Sequence, residues 1–212
     1  MMKANKKKLH DLLVMAGVVA LFAVVAGLLY SGSLSRQVTN MLIPTSVYIV
    51  LAVSLNLVVG LLGELSLGHA GFMSVGLFSG CLVSIALSQT AMPLAVRMVL
   101  AMLAGGLVAA VFGLLVGLPT LRLKGDYLAI VTLACGEIIK NVITNLDITG
   151  GALGLNTSAV YSGAQVLLPY AAALVLITCV VMLNLKRSKY GRAIMAIRDN
   201  RIAAESVGLN LS

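Results

Sequence analysis

The sequence predicts an all-α, polytopic membrane protein, a bundle of transmembrane helices with a broken or re-entrant helix near its centre. Three observations predict it. Of 212 residues, 60% are hydrophobic and only 10% charged, and the mean hydropathy is +1.05, more than a water-soluble core hides. The apolar residues form runs long enough to cross about 30 Å of hydrocarbon at about 1.5 Å per helical residue. Within one stretch, Asn56 to Gly76, four glycines at 60, 63, 68 and 71 surround Glu64, Ser66 and His69 with no loop-like polar segment.

The elements follow in order. Lys3, Lys6, Lys7 and Lys8 lie in a basic N-terminal segment, residues 1–11, before the first apolar run from Leu12 to Tyr30. That run exceeds the usual signal-peptide core and leads into "SGSLSRQ" without a small-x-small cleavage site, so it reads as an uncleaved first helix. Further apolar segments span about 39–62, 67–88, 92–118, 127–144 and 166–185, making six in the region 12–185. A basic segment, 186–212, follows.

Lysine and arginine bias orients the six. With a cytoplasmic N-terminus, an even number of crossings returns 186–212 to the cytoplasm, and the connection holding Arg122 and Lys124 also lies inside. Only Arg36, Arg97 and Lys140 of the 15 basic residues then fall outside, and the outer loop from Asn145 to Gln165 has none. The formal charge of +8 therefore reads as a topology signal rather than a nucleic-acid footprint. Cys81, Cys135 and Cys179 fall inside apolar runs with no metal or disulfide spacing, and read as small packed side chains.

Small residues spaced by four, Gly76 with Gly80 and Gly113 with Gly117, predict close helix approach. If 56–76 were one continuous helix, Ser66, His69 and Met73 would share a face and Glu64 would point about 140° from His69. Glu64 and His69 thus make no obvious proton relay. The glycines predict instead an interrupted segment, tolerated at membrane depth only when buried in protein or lining an aqueous cavity. Lining of a permeation route and internal hydrogen bonding of a helix break both remain open for Glu64, Ser66, Gly68, His69 and Gly71. Glu137 and Lys140, three apart on one helix, are expected to form a structural ion pair.

The "LSLGHAGF" centre of that stretch resembles the membrane permease of branched-chain amino-acid ABC importers, the high-affinity leucine, isoleucine and valine system. Three further blocks agree, in order: "LRLKGDYLAIVTLACGEIIKN" at 121–141, "TGGALGLN" at 149–156 and "YGRAIMAIRDNRIAAESVGLN" at 190–210. Gly63, Ser66, Gly68, His69 and Ala70 match the family's pattern, whereas Glu64 stands where many relatives carry an uncharged amide. Thr149, Gly150, Gly151 and Gly154 match a periplasmic loop, and "TGGALGL" lacks the trailing Gly-Lys-Ser/Thr of a phosphate loop.

The resemblance implies that 186–212 is a cytoplasmic coupling segment that docks on an ATP-binding subunit. Gly191, Arg192, Ala196, Arg198, Asn200, Ala203, Ala204, Gly208 and Asn210 match its motif, and the basic face with Arg198 and Arg201 is expected to meet that partner. From residue pattern alone, the same segment reads as an interfacial amphipathic helix. The chain shows no Walker lysine, metal cluster or nucleophile-base constellation, so no catalytic residue, metal or bound cofactor is expected. ATP and magnesium would be used by two partner ATP-binding subunits. A second homologous permease subunit and a periplasmic amino-acid-binding protein complete the implied assembly, in a bacterial inner membrane, with no nucleic-acid partner. The alternatives are a proton-coupled secondary transporter and a non-transporting membrane interaction fragment. Because family members continue through further helices after the coupling loop, the chain is expected to be incomplete after Ser212.

Overall fold

The computed structural model describes residues 2–90, 92–120, 123, 125–157, 160 and 163–208; for 2–10, 152 and 201 it describes the backbone only. Arg122, Lys124, Asn210 and Ser212 lie outside these residues.

Among the described residues, six helices are long and apolar enough to cross a membrane. They are α1 (Met2–Tyr30), α2 (Arg36–Asn56, continued by a π turn at Leu57–Leu62), α3 (His69–Ser88), α4 (Leu94–Thr120), α5 (Asp126–Asn145) and α6 (Ala164–Arg187). Two shorter helices follow, α7 (Lys189–Asp199) and α8 (Arg201–Ser206). The protein is thus an all-α, multi-pass membrane protein. The basic N-terminal segment belongs to α1 itself, whose backbone is helical from Met2.

The chain divides into two units, one of residues 1–63 with 162–212 and one of residues 64–161. The first holds α1, α2, α6, α7 and α8. Here α6 packs along α2 and α1, burying Leu168 and Val175 to 3% and 2% exposure. Tyr30 donates its hydroxyl hydrogen to the Gln165 carbonyl, 3.3 Å, while Arg187 pairs with Asp11. These two ties join opposite ends of α1 to opposite ends of α6, so the two helices run antiparallel. Ser46, buried in α2, returns its hydroxyl to the Leu42 carbonyl at 2.8 Å, the local solution available to a hydroxyl away from water.

The second unit holds α3, α4 and α5. Gly76 and Gly80 lie against Gly105 and Ala101 of α4: a methyl group on Gly105 would stand 2.5 Å from the Gly76 carbonyl oxygen. The expected small-residue seam therefore forms between α3 and α4. The Gly113 and Gly117 pair is different, with nothing described within 4 Å of either. Val75, Ile139 and Ile143 form a buried cluster with Phe72, Phe78 and Val108 packed on it, so that α3 is held by α4 on one side and α5 on the other.

Candidate functional site

The break lies where the glycines predicted it. After α2 the chain tightens into the π turn, Gly63 takes the left-handed conformation at φ +78°, and helical geometry resumes only at His69. Ser66 lies in this non-helical stretch and so shares no helical face with His69, in keeping with the expected interrupted segment. Glu64, Ser66 and His69 are each half-buried.

Within the second unit, the reason for Gly68 and Gly71 is steric. A methyl group on Gly68 would stand 2.5 Å from the Thr132 carbonyl oxygen, and one on Gly71 would stand 2.9 Å from Gly136 Cα. The start of α3 therefore lies directly on the backbone of α5. Leu67 donates its N–H to Thr132 Oγ1 at 3.1 Å, and that hydroxyl donates to the Ala129 carbonyl at 3.0 Å. Thr132 and Gly136 were not singled out from the sequence, although their four-residue spacing on one helix is the signal of a close crossing.

Within the first unit, α7 meets the π turn and Gly63. Arg198 donates from Nη1 to the Gly60 carbonyl at 2.6 Å, and its Nη2 lies 2.7 Å from Asp199 Oδ1. The stem of the same arginine covers Gly63, where a methyl group would stand 2.5 Å from Arg198 Cγ. Arg198, expected on a face turned to a partner, makes this bond to its own chain and keeps 39% of its side chain exposed. Arg201's side chain lies outside the described residues.

The rest of the segment is organised by turns and caps. Ser188 accepts the Gly191 N–H at 3.0 Å to begin α7, and Arg192 Nη1 donates to the Arg187 carbonyl at 2.8 Å. A side chain on Gly191 would collide with the Leu185 carbonyl, so the reversal from α6 into α7 requires glycine. Asn200 accepts the Ala203 N–H at 3.0 Å to begin α8, Ala204 is 5% exposed, Ala196 is exposed, and Gly208 has φ +84°. Among the exposed residues of this segment, which include Lys189, Arg192, Asp199 and Glu205, are three large apolar side chains: Tyr190, Ile202 and Val207 are 79%, 81% and 82% exposed. Tyr190 and Ile202 were not picked out by sequence reading, which weighed the charges.

The loop after α5 folds on itself. Thr149, buried, donates its hydroxyl hydrogen to the carbonyls of Ile143 and Leu146, the latter at 2.8 Å. Gly150, Gly151 and Gly154 all have positive φ, and a side chain on Gly150 would collide with the Gly154 carbonyl. The motif thereby closes two 3-10 turns over the end of α5. Lys140 Nζ lies 3.4 Å from Glu137 Oε2, with both side chains exposed. An apolar pocket in the first unit, between α1 and α2 against Leu168, presents Gln37, Thr45 and Ser46 as its polar walls and contains none of the residues picked out from the sequence.

The family model for the permease component of branched-chain amino acid transport systems matches residues 37–212. The high-affinity branched-chain amino acid transport system permease protein LivM of Salmonella typhimurium is 35% identical over 210 residues, 83% of this chain and 47% of its own length. Its counterpart in Escherichia coli is 34% identical over the same shares. A probable LivM of Methanocaldococcus jannaschii is 31% identical over 121 residues, 54% of this chain and 35% of its own. The chain thus spans about half the length of the two bacterial relatives. No solved structure matches.

Proposed function

The chain belongs to the branched-chain amino acid transport permease family, and from that premise we propose that it forms part of the membrane-spanning permease of an ATP-driven importer of leucine, isoleucine and valine. The observation that carries the reading is the family match from residue 37 to 212, which takes in all four motif blocks. Hydrolysis of ATP with magnesium belongs, in this reading, to two separate ATP-binding subunits, and this chain is no enzyme. A second homologous permease subunit completes the route, and an external binding protein selects the solute. The N-terminus faces the cytoplasm of a bacterial inner membrane.

The physics of the solute fits such a route. A branched-chain amino acid is a zwitterion with an apolar tail, so passage needs weak polar contacts for one end and an apolar lining for the other. The Glu64 to Gly71 stretch, non-helical up to Gly68 and half-buried at its three polar side chains, supports placing the route there. Non-helical backbone at membrane depth is stable only in such surroundings. The outer loop at Thr149 to Gly154 shapes the external mouth.

Uptake of labelled leucine into proteoliposomes holding the assembled transporter tests the reading. Accumulation is expected to require ATP on the side of the ATP-binding subunits and the binding protein on the other. Accumulation driven by a proton gradient with neither component would replace it with a proton-coupled carrier.

A further inference from the structure

We infer that Arg198 is a positioning residue that caps the broken end of α2 and through it ties the coupling helix α7 to the stretch proposed to line the route. The inference rests on the proposed permease function and adds to it the residue that connects coupling segment and break.

The last carbonyls of any helix lack helical donors and carry the negative end of its dipole. In the π turn, Gly63 N–H closes back on the Val58 carbonyl, and the chain then leaves helical geometry. Gly60, two positions along from Val58, finds no continuing helix to supply its donor. Arg198 supplies it, from a helix 138 positions later in sequence, at 2.6 Å. A charged donor on a helix-terminal carbonyl is stronger than a neutral one, and here Asp199 holds the other edge of the guanidinium through Nε at 3.0 Å and Nη2 at 2.7 Å. The fork is therefore fixed on both sides.

Gly63 completes the arrangement. Its left-handed φ of +78° favours glycine already, and the space a side chain would take is filled by Arg198 Cγ and Cδ. The turn ending α2 and the α7 arginine are thus fitted to each other at a hydrogen bond and at a packing contact. From Gly63 the chain runs directly into Glu64. A displacement of α7 by an ATP-binding subunit pulls on Gly60 and Gly63, and the backbone carries the pull into Glu64 to Gly68. Arg192, also on α7, donates backward to the Arg187 carbonyl and, among the described residues, bonds to no residue of the turn.

The test compares wild type, Arg198→Gln, Arg198→Lys and Arg192→Gln in the assembled transporter by hydrogen exchange and by leucine uptake per ATP hydrolysed. Loss of one charge-assisted bond is expected to speed exchange across residues 57–66 about tenfold in Arg198→Gln. Uptake per ATP should fall about tenfold with the ATP-binding subunits retained. Arg198→Lys, with one donor and no fork, should be intermediate in both, and Arg192→Gln should match wild type at 57–66. Unchanged exchange there in Arg198→Gln overturns the capping role, and faster exchange with unchanged uptake per ATP overturns the coupling role. Should Arg198→Gln fail to insert, wild-type behaviour of Arg198→Lys in both readouts overturns the inference. If wild type itself shows no ATP-dependent uptake, the permease reading fails, while the exchange measurement still decides the cap.

Discussion

A methyl group at position 68 would meet a backbone carbonyl, and a carbonyl held in the middle of a helix cannot swing aside as a side chain can. Gly68→Ala is therefore expected to separate α3 from α5 and cost about 1–3 kcal/mol, seen as a lowered melting temperature in detergent. Gly106→Ala, in α4 with nothing described within 4 Å, should hold or raise it by up to about 1 kcal/mol, because alanine favours the helix. Equal losses at both positions would mean that the close approach is not what selects glycine 68. Thr132→Val, which strands the Leu67 N–H, should cost about 1–3 kcal/mol while Thr132→Ser stays near wild type. Gly68 was legible as a special position from the density of glycines around it. Thr132 was not, because a threonine in an apolar helix ordinarily bonds its own preceding turn, and its second bond comes from a residue 65 positions away.

At the scale of the element, α7 and α8 divide their residues between an inward and an outward face. Gly191 and Ala204 are buried against the chain's own turns, while Arg198 stays exposed and spends part of its hydrogen-bonding capacity on Gly60 and Asp199. Tyr190, Ile202 and Val207 are exposed, and the proposed docking of the ATP-binding subunits would cover Ile202 and Val207. Paired substitution Ile202→Asp with Val207→Asp is expected to reduce retention of the ATP-binding subunits about tenfold on co-purification, as loss of interface anchors does. Glu205→Gln, also exposed and in α8, should leave retention unchanged. Full retention in the paired variant would reject this surface and return the docking role to the basic side chains.

For the whole molecule, the ties within the first unit bear on orientation. Asp11 with Arg187, and Tyr30 with Gln165, place the start of α1 beside the end of α6 and the end of α1 beside its start. Arg198 on Gly60 puts α7 at the end of α2 that follows from the same alternation. The proposed orientation, which rests on lysine and arginine bias, places the α7 end in the cytoplasm. In sealed cells, in a background lacking Cys81, Cys135 and Cys179, a single cysteine replacing Ile202 should resist a membrane-impermeant reagent, and one replacing Leu153 should react. The opposite pattern would invert the topology.

The sequence by itself determined the number and positions of the six long helices and the place of the break, because both follow from hydropathy and from glycine, which act over a few neighbouring residues. The spans predicted at 67–88 and 127–144 lie within three residues of α3 and α5 at each end. It also determined the family, through four blocks in order. Tertiary structure alone decided what those blocks do for one another. Gly68 and Gly71 serve a crossing with α5, Thr149 and its glycines close over a helix end, and Arg198 caps a carbonyl 138 positions upstream. Each of these depends on which backbone atoms come within about 3 Å after packing, a distance that residue type and spacing along the chain do not encode.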